Sequence, residues 1–115
     1  MERKEYHGYT NYETWATALW IDNEQGSSEQ AVAAARECLE ESVDGGLRSE
    51  FTPESVTDAD LARYELANRL KDWIEEAMPD VGASLAADLL GAALAEVDWD
   101  DLARHYLGAA EEVLA

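Results

Sequence analysis

Apolar residues recur at three- and four-residue spacing in five stretches of this chain, and caps, glycines or prolines bound each stretch. The first stretch covers residues 11–23. Tyr12, Trp15, Ala16, Leu19 and Trp20 share one helical face there. Thr10 and Glu13 have the spacing of a capping box, in which the hydroxyl takes a first-turn N–H and the acid reaches back to the cap. Two uses of that aromatic face stay open: the keystone of a small core, or a binding platform that leaves a ring exposed. Residues 1–9 mix charge with Tyr6, His7 and Tyr9 and read as an irregular arm packed beside this helix. Gly26 is a stop signal, and Ser27 with Gln30 opens a second helix to about Ser42. Its apolar stripe is Ala31, Val32, Ala35, Cys38 and Leu39.

The pattern lapses over residues 43–56, where Gly45-Gly46 punctuates a loop. Leu47 and Phe51 are expected to pin that loop to the core, and Thr52-Pro53 to open a single helical turn. A third helix begins at the cap-like pair Thr57 and Asp60, carries Ala59, Ala62, Leu66, Leu70, Trp73, Ile74 and Ala77 on one stripe, and ends before Pro79. Leu61 and Tyr64 fall off that stripe. The fourth, over residues 83–95, is apolar almost all round, with Asp88 its only charge. Such a helix is expected at the centre of a fold. Gly91 within it is expected where a neighbouring backbone passes close. The fifth runs from the Asp98 cap to about Leu114, with Trp99, Leu102, Ala103, Tyr106, Leu107, Ala110, Val113 and Leu114 on one face and His105 opposite. The expected architecture is all-α: a single compact domain over 1–115 with about five helices, the fourth (about 83–95) central and the first, third and fifth around it.

Charge changes the picture most. The 115 residues hold 26 Asp and Glu against 8 Lys and Arg, a net charge of −18. A 12.7 kDa fold has about 6,200 Å² of surface, so roughly one net charge falls on every 350 Å². That balance argues against direct binding to nucleic acid or an anionic membrane, both polyanions. It favours a basic protein partner or a soluble, self-repelling monomer, and leaves the oligomeric state open. Cys38 is the sole cysteine and lies on an apolar stripe, so it reads as a small buried thiol. No signal peptide or apolar run long enough to span a bilayer is present, and a cytoplasmic location is expected.

No pattern points to catalysis. The acids do not sit beside a His, Ser or Cys in a nucleophile arrangement, no glycine loop cradles a phosphate, and no Glu-x-x-His or calcium-loop spacing occurs. The expectation is therefore not an enzyme, with no catalytic residue, no cofactor and no metal. The placement of acid is the informative feature. Glu37, Glu40, Glu41 and Asp44 crowd the end of the second helix, Glu75, Glu76 and Asp80 the end of the third, and Glu111 and Glu112 the end of the fifth. Helix C-termini are already partly negative, so each exposed carboxylate there costs about 0.3–1 kcal/mol. These nine residues are the candidate partner-binding positions.

The run Thr10-Asn11-Tyr12-Glu13-Thr14-Trp15, continued by Leu19-Trp20-Ile21-Asp22-Asn23-Glu24, resembles the signature of a family of small phage, plasmid and prophage proteins. A second block, Leu66–Asp72, Pro79-Asp80, Ala87–Leu94 and Glu96–Trp99, is similar to the same family. The resemblance implies a mobile-element setting and no particular reaction. With the charge, it leads to two expectations. One is an interaction protein that binds a basic or nucleic-acid-binding host partner, such as an anti-restriction or anti-CRISPR inhibitor that mimics nucleic acid. Eighteen charges correspond to about nine base pairs of phosphate. The other is a structural or adaptor protein with a salt-adapted acidic surface, making its contact through the aromatic first helix.

Overall fold

Asn11, rather than Thr10, caps the first helix. Asn11 Oδ1 accepts the Thr14 backbone N–H at 2.9 Å and the Thr14 hydroxyl at 2.6 Å. Thr10 turns its hydroxyl toward Asp98 and Asp101 instead, at 2.7 and 3.1 Å. The expected Thr10–Glu13 box is thus replaced by a cap one residue later, because Thr10 is needed to tie the N-terminal arm to the start of the last helix. The computed structural model describes residues 5–114. Its five helices are α1 (Tyr12–Asn23), α2 (Gln25–Val43), α3 (Asp58–Ala77), α4 (Leu85–Glu96) and α5 (Trp99–Leu114), with no strand among the described residues. The fold is all-α, as the periodicity predicts.

Gly26 does not stop α1. A single extended residue, Glu24, separates α1 from α2, and Gly26 and Ser27 lie in the first turn of α2. Glycine is tolerated there because first-turn N–H groups have no intrahelical acceptor to lose. The caps of α3 and α5 match expectation, while α4 starts two residues later than expected, after Ser84. Thr57 Oγ1 accepts the Asp60 N–H while the Asp60 carboxylate accepts the Thr57 N–H, both at 3.0 Å. Ser84 caps α4, and Asp98 Oδ1 accepts the Asp101 N–H. Residues 44–56 contain no helix, so the helical turn expected at Thr52-Pro53 does not form. Phe51, expected to anchor this loop, is 86% exposed. Arg48 anchors it instead, donating to the Val56 carbonyl and pairing with Asp58 at 3.1 Å.

The core lies between α2, α3 and α5, which pack mutually, while α1 closes against α2 and α5. Ala31, Ala35, Ala62, Ala103 and Ala110 are fully buried and bring these helices close, with Leu66, Leu70 and Leu102 filling the space between. Each buried leucine contributes about 1.5–3 kcal/mol. Tyr106 hydrogen-bonds Asp22 at 2.9 Å and so fixes α5 to the end of α1. Ahead of α1, Tyr6 and Tyr9 exchange both backbone hydrogen bonds across a tight turn with His7 and Gly8 at positive φ. Tyr6 and His7 pack their rings on Trp15, and Tyr9 stacks on His105 at 4.1 Å. Residues 1–4 of the expected arm, and the side chains of Val113 and Leu114, lie outside what is described.

α4 is not central. None of its residues is buried, and its backbone lies close to α1 alone among the helices. Leu85 is 73% and Leu89 61% exposed. An apolar surface all round gives a helix no preferred face, and burial also needs a neighbour with room. The close alanine contacts of α2, α3 and α5 leave none. Gly91 has nothing within 4 Å of where a Cβ would stand, so no backbone passes close to it. With α4 set outside the core, the surface is 7624 Å², against the roughly 6,200 Å² expected for this mass.

Candidate functional site

The nine acidic positions divide into two groups. Glu37 and Glu41 face α3, where Arg69 spans both, at 3.4 and 2.9 Å, and also takes Glu65 at 3.0 Å. Desolvation works against the Arg69 charge, but the Glu65 and Glu41 hydrogen bonds outweigh it and raise its pKa. Glu37 and Glu41 therefore join two helices. Glu40, Asp44, Glu75, Glu76, Asp80, Glu111 and Glu112 are all exposed and make no ion pair among the described residues. Asp80 only closes its own turn, through the Gly82 N–H.

Cations are used elsewhere. Arg48, Arg63, Arg69 and Arg104 each pair with a carboxylate of the fold. No helix carries a basic residue in its last turn. Glu40, Asp44, Glu75, Glu76, Glu111 and Glu112 consequently meet the negative ends of α2, α3 and α5 without a counter-charge among the described residues. Cys38 is fully buried, and burial, reinforced by Glu65, Glu41 and Glu37 against the opposing Arg69, pushes its pKa up to about 11. That is the opposite of an activated thiolate. Among the described residues no group of three or more His, Cys, Asp or Glu is arranged to hold a metal ion.

A groove of about 560 Å³ lies between α1, the end of α3 and α4. Tyr12, Ala16 and Trp20, one turn apart, form one wall. Trp73, Ile74 and Ala77 from α3 and Ala93 and Leu94 from α4 form the others, with buried Ile21 at the floor. Trp20 is 78% and Tyr12 55% exposed, and among the described residues the charged lining is Glu13 and Glu24. A second depression on the far side of α4 shares Met78 and Leu94 with it.

Residues 12–24 carry apolar side chains on both sides, and the structure buries Thr14, Ala18 and Ile21 rather than the larger aromatic face. Small residues let α1 approach α2 and α5. Its tryptophans then divide, Trp15 half-buried under the arm and Trp20 open in the groove. The groove was not assignable from the sequence, because its walls come from three separated segments. The available signal was Trp20 itself, a large ring on a helix with a competing apolar face. No helix of the described residues is long and apolar enough to cross a membrane.

Comparison with curated proteins and with solved structures gives no match. A family model does match, over residues 2–113, and the chain accordingly belongs to the Family of unknown function (DUF7249).

Proposed function

We propose that this chain is a non-catalytic interaction protein that binds a basic protein partner through its carboxylate surface. The observation that carries the reading is the set of exposed acids at the ends of α2, α3 and α5 that have no ion pair among the described residues, with no basic residue in any last turn. Such charges are unfavourable where they stand, and local rules broken without local gain are expected at functional surfaces. The long axis is 44 Å, so 18 net charges give about one per 2.4 Å. B-DNA carries one per about 1.7 Å, so the two linear densities are of one order. The resemblance of the Thr10–Glu24 run to phage, plasmid and prophage proteins narrows the proposed partner to a host complex that handles nucleic acid. Restriction and CRISPR enzymes are of that kind.

The adaptor reading shares the aromatic contact, which the exposure of Trp20 and Tyr12 supports, but gives the acids no role. Charge reversal separates the two. Glu40, Glu75 and Glu76 are exposed and unpaired, so changing all three to Lys leaves the fold intact. A partner captured from host extract and purified should bind this variant more than tenfold more weakly. Unchanged affinity refutes the carboxylate surface and leaves the adaptor reading.

A further inference from the structure

We infer that the groove between α1, the end of α3 and α4 is the seat of a single amphipathic helix supplied by the partner, apolar along one stripe and basic at both ends of it. The inference rests on the basic-partner reading and specifies the part of the partner that is held.

Three observations carry it. The first is length. Tyr12, Ala16, Trp20 and Glu24 line the groove at one-turn intervals, so it follows the whole of α1, about 18 Å at 1.5 Å per residue. A rod of about three turns fits that course better than a compact ligand. Helices in such grooves anchor through residues at i, i+3 or i+4, and i+7.

The second is the exposed apolar surface. Trp20 and Tyr12 stand open on one wall, and α4 on the other has no buried residue. Contiguous exposed apolar surface of this kind marks an interaction site. The outer leucines of α4, Leu85 and Leu89, continue the patch beyond the groove.

Charge is the third. The groove has Glu13 near one end and Glu24 at the other, about 16 Å apart along α1, and among the described residues no Lys or Arg lines it. An occupant therefore gains by carrying cations about eleven residues apart on either side of its apolar stripe. A second copy of this chain is the wrong occupant on the same ground, since it too carries −18.

Three synthetic peptides of about 14 residues test this. One has leucines at helical spacing and lysines at both ends of that stripe. Another has the same composition scrambled so that the stripe is lost, and the last keeps the stripe with glutamine for lysine. Binding is followed by tryptophan fluorescence, with sedimentation run in parallel. The expected result is that the amphipathic basic peptide binds at least tenfold more tightly than either control and shifts the emission to the blue. Trp20→Ala, at an exposed position, and Thr17→Lys, which puts a cation into the groove, should each abolish that advantage while circular dichroism stays unchanged. Equal binding of the two basic peptides, insensitive to both substitutions, overturns the groove and leaves the carboxylate surface standing. Equal binding of the basic and glutamine peptides overturns the basic occupant of the groove and leaves the carboxylate surface, which lies outside it, to the charge-reversal test. Self-association that Trp20→Ala removes overturns the inference in favour of a second copy.

Discussion

Replacing Asn11 with alanine removes a buried junction between three helices. Asn11 is 7% exposed, and its Oδ1 takes both the N–H and the hydroxyl of Thr14 while its Nδ2 donates to the Glu96 carbonyl at 2.7 Å. The Thr14 hydroxyl in turn accepts the Asp98 N–H at 2.8 Å, so the start of α1 is joined to the end of α4 and the start of α5. Loss of the cap costs about 1 kcal/mol. Loss of the bond from Nδ2 to the Glu96 carbonyl costs about 0.5–1.5 kcal/mol more. Asn11→Ala should therefore lower stability by about 1.5–2.5 kcal/mol. Asn11→Asp separates the two contributions, because aspartate still caps but has no N–H for Glu96. It should recover about 1 kcal/mol of the loss. Glu13→Ala should stay within about 0.5 kcal/mol of the parent, because no side-chain hydrogen bond joins Glu13 to the cap. Urea denaturation followed by far-ultraviolet circular dichroism, at constant m, reads all three. The reasoning fails if Asn11→Ala costs under about 1 kcal/mol, or if Glu13→Ala costs as much as Asn11→Ala, which is the signature of the Thr10–Glu13 box.

Two further outcomes follow from the charges and the thiol. Arg69→Met takes two partly exposed ion pairs from the α2–α3 contact and a third from within α3, so a loss of about 1–2 kcal/mol is expected, smaller at high salt; denaturation at two salt concentrations checks it. Cys38 has its folded pKa raised from 9.0 to about 11, so the contribution of its protonated form is complete below about pH 9 and is lost as pH rises toward 11. The melting temperature of the parent should fall more steeply across that range than that of Cys38→Ala, and parallel profiles contradict the burial.

The cap of α3 was legible in Thr57 and Asp60, but that of α1 was not, because distant Asp98 and Asp101 draw Thr10 away and leave the cap to Asn11; the stripes of α3 and α5 were legible because their polar faces are unambiguous. The face of α1 was not, since apolar residues surround it and contact with α2 and α5 favours Thr14, Ala18 and Ile21 over larger rings. Nor was the place of α4, because uniform hydrophobicity states a need for burial without providing a partner. The same ambiguity hid the groove, which exists because α1 turns Trp20 outward and α4 stands off the core. Among the acidic positions, the sequence could not tell Glu37 and Glu41 from Glu40, since their difference is the reach of Arg69 from another helix.

The most direct measurement is the affinity of the purified partner across a range of salt concentrations, for the parent and for Trp20→Ala. Carboxylate contacts give a slope against salt and the groove gives an offset between the two lines. The account predicts steep, parallel lines displaced by at least tenfold. A flat parent line contradicts it, whatever the offset.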